Sequence, residues 1–291
     1  MAEKSIRKAL IPVAGFGTRL LPATKAQPKE MLPVVDTPAV QYVVEEALNS
    51  GVESLLFVTG RGKQAIENYF DYSVELEKEL KDRGKLDLLQ EVREVGDLIH
   101  IFYVRQKRQK GLGDAIWYGR QFIGDAPFAV LLADDIIDAR IPCLAQMAEV
   151  YREFPGIVLA VEQVPRERVD QLGIIKGRKV KDRVFAVEDL VEKPDPAEAP
   201  SDLAIVGRYI LTPSIFDSIE KTTPGKGGEI QLTDAMKNLI GRENVYAYQF
   251  EGTLYGVGDK LGFLKANIAY ALKREDLGPP IREFIRECLD G

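Results

Sequence analysis

The feature that most constrains the fold is the stretch of residues 10–34, where a short apolar run ends at two closely spaced glycines. The pattern of residues 9–14 predicts a buried strand. Gly15 and Gly17 follow it directly. Glycine lets the backbone approach a bulky anion closely and turn its N–H groups toward it. We therefore expect an anion-binding loop at the end of the first strand.

This loop carries three cations, Arg19, Lys25 and Lys29. Arginine offers a planar fork of donors, whereas each lysine is a compact point charge. Three prolines exclude a regular helix through the segment and stiffen it, namely Pro22, Pro28 and Pro33. A glycine turn after a buried strand, followed by cations on a stiff loop, predicts a cradle for a polyphosphate.

The charge balance argues against the most common polyanion binders. The chain has 291 residues and a formal net charge of −6, whereas general binders of nucleic acid or acidic membranes need a basic field. Cys143 and Cys288 are too few and too far apart for a disulfide framework. The first five residues carry no signal pattern, and no apolar run approaches the ~18 residues of a membrane span. We expect a cytoplasmic protein that binds neither nucleic acid nor membranes.

Apolar runs alternate with amphipathic helical patterns up to about residue 162. This alternation predicts an α/β fold in which a mostly parallel sheet is covered by helices on both faces. From about Gln163 the strand candidates are separated by turns, which predicts mixed or antiparallel strands added to the same sheet. Because no linker separates the two parts, we expect residues 1–291 to form a single domain, divided into residues 1–162 and 163–291.

Local patterns predict several individual elements. They are a helix that starts at Thr37-Pro38, two helices in residues 73–96 that meet near Gly84, a helix that follows residues 111–113 and runs through about Phe122, and a turn at residues 255–262.

Asp134 and Asp135 directly follow the most apolar strand candidate. In α/β sheets, ligands usually bind at the carboxyl ends of strands. One interpretation is that Asp134 holds Mg²⁺, which typically uses one or two carboxylates together with phosphate oxygens. The alternative is a pair of ordinary turn aspartates. The nearby cation-rich loop favours the metal.

Two further loops carry candidate binding residues. Glu192 and Lys193 end another strand candidate and form either a solvated ion pair or a site for a sugar and a phosphate. The basic loop of residues 105–110 lacks the interleaved aromatic residues of a nucleic-acid patch. Within it, Gln106 is a candidate for contacting a base edge, next to Gly111.

No side chain stands out as a nucleophile. His100 is the only histidine and lies at a strand start, and neither cysteine has a reactive-looking setting. Phosphate-binding cations with a metal carboxylate and no nucleophile suit phosphoryl or nucleotidyl transfer, in which positioning and charge neutralisation supply most of the catalysis.

The motifs of residues 14–33 (AGFGTRLLPATKAQPKEMLP) resemble the signature of the sugar-nucleotide pyrophosphorylases. Further matches run in order along the chain at residues 105–113, 131–138, 191–194, 199–211, 227–235 and 258–266. The resemblance implies a Rossmann-like nucleotidyltransferase fold with a central mixed, mostly parallel sheet flanked by helices. It further implies Mg²⁺-dependent formation of UDP-glucose and pyrophosphate from UTP and glucose 1-phosphate, and a homodimer or homotetramer.

The resemblance also assigns roles to residues. Arg19 is expected to hold the β- and γ-phosphates, Lys29 to neutralise charge on the α-phosphate, and Asp134 to carry Mg²⁺. The expected nucleotide-binding residues are Ala14, Gly15, Gly17, Glu30, Gln106 and Gly111. The sugar phosphate is expected at Gly173, Glu192 and Lys193, with Lys193 on its phosphate, and residues 163–291 supply this sugar-binding half.

The chain departs from the family pattern at two positions. Gly256 stands where the family usually has an aspartate that helps to hold the metal, and Asp259 is not assumed to replace it. Asp114 stands where the family usually has histidine. An acidic residue there would repel nucleotide phosphates unless it faces away or meets the metal.

Three alternatives remain. A thymidylyltransferase forming dTDP-glucose would share these motifs. A catalytically weakened nucleotide-sugar binding or regulatory protein would account for Gly256 and Asp114. An NAD-dependent dehydrogenase would use Gly15 and Gly17 with Asp36, but Leu20 then occupies the third glycine position.

Overall fold

The computed structural model describes residues 5–290, so most of the segment on which the absence of a signal pattern was judged lies outside the described residues. Its strands are β1 (Lys8–Pro12), β2 (Pro33–Val34), β3 (Thr37–Pro38), β4 (Ser54–Thr59), β5 (His100–Arg105), β6 (Phe128–Leu131), β7 (Asp135–Asp138), β8 (Ile157–Gln163), β9 (Gly173–Lys181), β10 (Val184–Glu192), β11 (Leu203–Leu211), β12 (Val245–Gln249) and β13 (Thr253–Gly256). Its helices are α1 (Ala39–Asn49), α2 (Gln64–Tyr69), α3 (Val74–Asp82), α4 (Leu86–Gly96), α5 (Leu112–Trp117), α6 (Arg120–Ile123), α7 (Cys143–Glu153), α8 (Ser214–Lys221), α9 (Leu232–Lys237), α10 (Lys260–Lys273) and α11 (Gly278–Asp290).

One nine-stranded mixed sheet, in the order β5-β4-β1-β6-β11-β8-β12-β10-β9, forms the centre of the molecule. Strands β11 and β10 are antiparallel to their neighbours, and the other strands share one direction. The central strands are mostly apolar, as expected for a sheet that is covered on both faces. The predicted Rossmann-like α/β class with a mixed, mostly parallel sheet is confirmed, and β6 of the first half pairs directly with β11 of the second.

Helices bury an apolar stripe on each face of this sheet. Val43 of α1 and Met147 of α7 belong to the cluster on one face. Ile116 of α5, Ile215 of α8 and Met236 of α9 belong to the cluster on the other. Within residues 5–290, none of the helices has the length and apolar character needed to span a membrane.

Several predicted elements are present, and the bounds of others differ from the prediction. Helices α3 and α4 meet at Gly84, which has φ +68°, as expected. The helix predicted to follow residues 111–113 is instead divided into α5 and α6. Gly119, which precedes α6, packs against β1, and an added Cβ there would lie 2.3 Å from Leu10 Cδ1. Thr37 pairs with Val34 instead of capping a helix, and α1 begins at Ala39.

The pair of strands β7 and β13 was not predicted. Its register sets Asp135 opposite Gly256, so the segment expected to be a turn at residues 255–262 begins as a strand. Both strands are only four residues long, and short strands of mixed polarity leave little periodic signal. This pair matters for function because it brings Gly256 beside the two aspartates.

Candidate active site

The carboxyl ends of β1, β4, β5 and β6 lie at one edge of the sheet because these four strands are parallel. The loop after β1 folds as three single turns of 3₁₀-helix, at Thr18–Leu20, Ala23–Lys25 and Lys29–Met31. These turns stand directly after the glycines, where the dehydrogenase alternative requires an α-helix, so the structure does not fit that alternative.

Gly17 is the point at which this loop folds back on itself. It has φ +68°, and an added Cβ would lie 3.1 Å from Lys29 Cβ. Thr24 Oγ1 donates a hydrogen bond of 2.8 Å to the Gly17 carbonyl oxygen. A side chain at position 17 would therefore be strained and would push Lys29 away. Lys25, the third predicted cation, is exposed.

Lys29 and Asp134 form the centre of the site. Lys29 Nζ lies 2.6 Å from Asp134 Oδ2, and Arg19 Nη2 lies 3.6 Å from the same oxygen. The Lys29 side chain is 17% exposed, whereas that of Arg19 is 66% exposed. The structure thus brings Asp134 to two predicted cations that lie more than a hundred positions earlier in the chain. One of these cations is fixed and the other reaches into solvent.

The charges in this pair reinforce each other. Burial lowers the pKa of Lys29, but the charges of Asp134 and Glu30 outweigh it, so the pKa of Lys29 is raised. Burial raises the pKa of Asp134, but the charge and hydrogen bond of Lys29 outweigh it, so the pKa of Asp134 is lowered. Both groups are held in their charged forms at neutral pH.

Asp135 lies in a different electrostatic setting. Burial and the neighbouring charge of Asp134 raise the pKa of Asp135 to about 6. Its Oδ2 accepts a 2.8 Å hydrogen bond from the Gly207 backbone N–H, which fixes the carboxyl group. Two adjacent carboxylates with such different environments suit separate roles.

Arg208 was missed by the sequence analysis and holds these aspartates in place. It is 0% exposed, and its Nε and Nη2 bind the Glu46 carboxylate of α1. Its remaining N–H groups donate to three carbonyl oxygens, those of Leu132, Gly207 and Asp135. An arginine inside the otherwise apolar strand LAIVGRYIL was the available signal, because a buried charge needs a partner.

The loop after β5 meets the first loop. Gln109 Nε2 donates to the carbonyl oxygen of Ala14. Gly111 has φ +101°, and an added Cβ would lie 2.7 Å from the Ile230 carbonyl oxygen, so this loop requires glycine. The buried Gln106 donates from Nε2 to Asp114 Oδ2 at 2.6 Å. Asp114 therefore faces Gln106, which provides it with a donor.

Glu30, one of the predicted nucleotide-binding residues, forms a buried ion pair. Its Oε2 accepts a 2.7 Å hydrogen bond from Lys63 Nζ, a partner the sequence analysis did not identify. Burial raises the pKa of Glu30 and lowers that of Lys63. Glu30 Oε1 is buried and has no hydrogen-bond partner among the described residues. Such an acceptor calls for a donor from a ligand or a water molecule.

The three predicted sugar-site residues lie together. Gly173 of β9 pairs with Glu192 at the end of β10, and an added Cβ at Gly173 would lie 3.3 Å from Glu192 Oε2. Thr233, which was not predicted, donates a 2.8 Å hydrogen bond to the same oxygen. Lys193 has φ +49°, and its Nζ lies 3.4 Å from Glu192 Oε1.

A cleft of about 580 Å³ opens beside the aspartates. Arg19, Asp134, Asp135 and Gly256 line it, as does Leu172, whose carbonyl oxygen accepts the Lys193 N–H at 2.9 Å. The residues predicted to bind the sugar phosphate therefore adjoin the cleft that contains the carboxylates.

The carboxylates of this cleft could contribute to a metal site only together with a ligand. The described residues contain no group of three histidine, cysteine, aspartate or glutamate side chains suited to hold a metal ion. Asp259 is occupied as the N-cap of α10, where its Oδ1 accepts the Gly262 N–H at 2.9 Å. Asp134, Asp135 and Glu162 remain as carboxylates of the cleft. The two adjacent aspartates fit a hard cation that takes further oxygens from phosphates and water.

The family to which this chain belongs is shown by its sequence: residues 8–273 match the model of the nucleotidyl transferase family, and the chain is a member of it. Within that family it is 52% identical over 98% of both chains to a protein named UTP–glucose-1-phosphate uridylyltransferase 2 from Staphylococcus saprophyticus.

Two solved structures are similar throughout. A UDP-glucose pyrophosphorylase in complex with UDP-glucose is 45% identical, covers 92% of this chain and 100% of its own, and superposes with a TM-score of 0.84. A UTP-bound enzyme of the same kind from Acinetobacter baumannii is 40% identical, covers 97% of this chain and 99% of its own, and has a TM-score of 0.90.

Proposed function

We propose that this protein transfers UMP from UTP to glucose 1-phosphate, releasing pyrophosphate and forming UDP-glucose. The observation that carries the proposal is the ion pair of Lys29 and Asp134, 2.6 Å apart at the carboxyl edge of the sheet, with Arg19 beside it. The names of the similar proteins and their UTP and UDP-glucose complexes support the same reaction. We infer that residues 1–291 act as a single catalytic domain.

The uracil base is proposed to bind between the first and second loops. The backbone N–H groups of Ala14, Gly15 and Gly111 donate to no protein acceptor within residues 5–290, so they are free to bind base oxygens. Gln106 adds a side-chain amide at the same edge, and the unpartnered Oε1 of Glu30 offers an acceptor for a donor of the nucleoside.

The triphosphate is proposed to lie along the cation-bearing loop. Gly17 keeps the backbone close, and the exposed Arg19 reaches the β- and γ-phosphates that leave. Lys29 stabilises the charge that develops on the α-phosphate, because it is already fixed and charged before the reaction. Asp134, with Asp135 next to it, would hold Mg²⁺, which would neutralise phosphate charge.

Glucose 1-phosphate is proposed to bind at the adjoining residues of β9 and β10. Glu192 would accept hydrogen bonds from sugar hydroxyls. Gly173 keeps its backbone close to this carboxylate, because an added Cβ would meet Glu192 Oε2 and Thr233 Oγ1 at 3.3 Å. Lys193 would bind the phosphate. An oxygen of that phosphate attacks the α-phosphorus of UTP in line with the departing pyrophosphate, so no protein nucleophile is required.

Pyrophosphate release tests this function directly. The wild-type protein is incubated with glucose 1-phosphate and UTP, dTTP, ATP or GTP, with and without Mg²⁺. We expect release with UTP that depends on Mg²⁺. Faster release with dTTP would favour a thymidylyltransferase. Tight UDP-glucose binding without any release would instead support a regulatory binding protein.

We also propose that the protein is a homodimer or homotetramer. Large apolar side chains are exposed on the two C-terminal helices, including Leu264 of α10 and Phe284 of α11. Light scattering of the whole chain and of a chain ending at Leu277 tests whether α11 takes part. An unchanged oligomer after truncation would exclude this helix from the contact.

A further inference from the structure

The Gln106 amide is held in one orientation by its neighbours. The residue is 5% exposed, and its Nε2 donates to Asp114 Oδ2 at 2.6 Å and to the Gly111 carbonyl oxygen at a longer 3.5 Å. A carboxylate and a carbonyl oxygen only accept hydrogen bonds. If the amide were flipped, three oxygens would face one another. The nitrogen must therefore face Asp114, and the Oε1 atom must face away from it.

The exposed end of Gln106 is consequently an acceptor. Its Oε1 has no protein donor in the described part of the chain. The free backbone N–H groups of Ala14, Gly15 and Gly111 supply donors around the same loops. An acceptor on one loop, with free donors on this loop and the neighbouring one, can complement the edge of uracil, which presents an oxygen, an N3–H and another oxygen. Cytosine presents an unprotonated N3, whose lone pair would face the Gln106 oxygen.

We infer that Asp114 is a positioning residue that orients the Gln106 amide and thereby makes the site prefer uracil over cytosine. The inference rests on the proposed uridine site and names a determinant of its base specificity. Thymine also carries N3–H, so Asp114 does not separate UTP from dTTP. A neutral side chain that can donate a hydrogen bond would allow the amide to turn over and present its nitrogen to the base.

Asp114→Asn provides the test, because it keeps the shape of the side chain and gives it a donor. The ratio of kcat/KM for UTP to that for CTP is measured with glucose 1-phosphate, and the binding of each nucleotide alone is measured by calorimetry. We expect the ratio to fall by about 10-fold or more, the effect of mispairing one buried hydrogen bond. Asp125→Asn removes the same charge from an exposed position and should leave the ratio unchanged.

A second variant separates orientation from damage to the fold. Combining Gln106→Glu with Asp114→Asn puts an acceptor-only carboxylate at position 106, bonded to the new amide, and should restore much of the preference for UTP. The inference would be overturned by an unchanged ratio in Asp114→Asn, or by equal falls in the Asp114 and Asp125 variants. Neither result would contradict the proposed function, which the UTP turnover of the wild-type protein tests. A wild-type protein that binds neither nucleotide would overturn the proposed function as well.

Discussion

The ion pair of Arg208 and Glu46 allows a quantitative prediction about what holds the active site together. In Arg208→Met, the guanidinium is lost while a side chain of similar length still fills the space. The carbonyl oxygens of Leu132 and Gly207 each keep another donor, the N–H of Asp135 at 3.3 Å and that of Leu132 at 2.8 Å. The carbonyl oxygen of Asp135 loses its 2.7 Å hydrogen bond from Arg208. The largest cost is the Glu46 carboxylate, which stays buried without its cation.

Leaving one charge of a buried pair without its partner costs about 3–5 kcal/mol. This is a large share of the ~5–15 kcal/mol by which a folded domain is usually stable. We expect the Tm to fall by on the order of 10 °C. In the protein that remains folded, kcat should also fall, because Arg208 anchors the turn that carries Asp134 and Asp135.

The matched control is the double variant Glu46→Gln with Arg208→Met, which removes both charges. The new amide oxygen can still accept the Leu144 N–H that Glu46 Oε1 now accepts at 3.1 Å. We expect it to recover about half of the lost stability or more. Thermal and urea unfolding followed by circular dichroism measure both variants. A single variant that loses less than about 1 kcal/mol, or a double variant that is no better than the single one, would refute the reasoning.

Three further predictions concern the site itself. Lys29→Ala should lower kcat by about 10²–10³-fold with little change in the KM for UTP, because its charge acts mainly in the transition state; a raised KM with an unchanged kcat would contradict this role. In metal-free protein, the pKa of Asp135 is raised from its ordinary 3.8 to about 6. The folded state therefore gains stability from protonated Asp135, and this gain is complete below pH 3.8 and is lost as the pH rises through about 6. Asp135→Asn should accordingly flatten the dependence of urea stability on pH in that range, and an unaltered slope would count against the assignment. Gly256→Asp should tighten Mg²⁺ binding by on the order of 10-fold, as measured by calorimetry. The reason is that an added Cβ at this position lies 3.9 Å from Asp135 Oδ1, and no other atom is closer to block it. Unchanged affinity would mean that the new carboxylate does not reach the metal.

Much of the site followed from local signals. Glycines after an apolar run predicted the loop, and prolines predicted that it is not helical. Asp134 was expected at a strand end where ligands bind, beside the loop that carries Arg19 and Lys29, and the structure brings the three together. These inferences succeed because each depends on a turn or a strand end, which short-range sequence patterns report.

The sequence by itself therefore determined the class of fold, the shape of the first loop and the cations and carboxylate that meet there. Only the tertiary structure decided which charges are paired inside the protein. Glu46 and Arg208 are 162 residues apart, and Glu30 and Lys63 are 33 apart, so no local pattern links them. The same is true of Gly256 opposite Asp135. The physical reason is that a buried charge is defined by what packs around it, and that packing is contributed by segments distant in the chain.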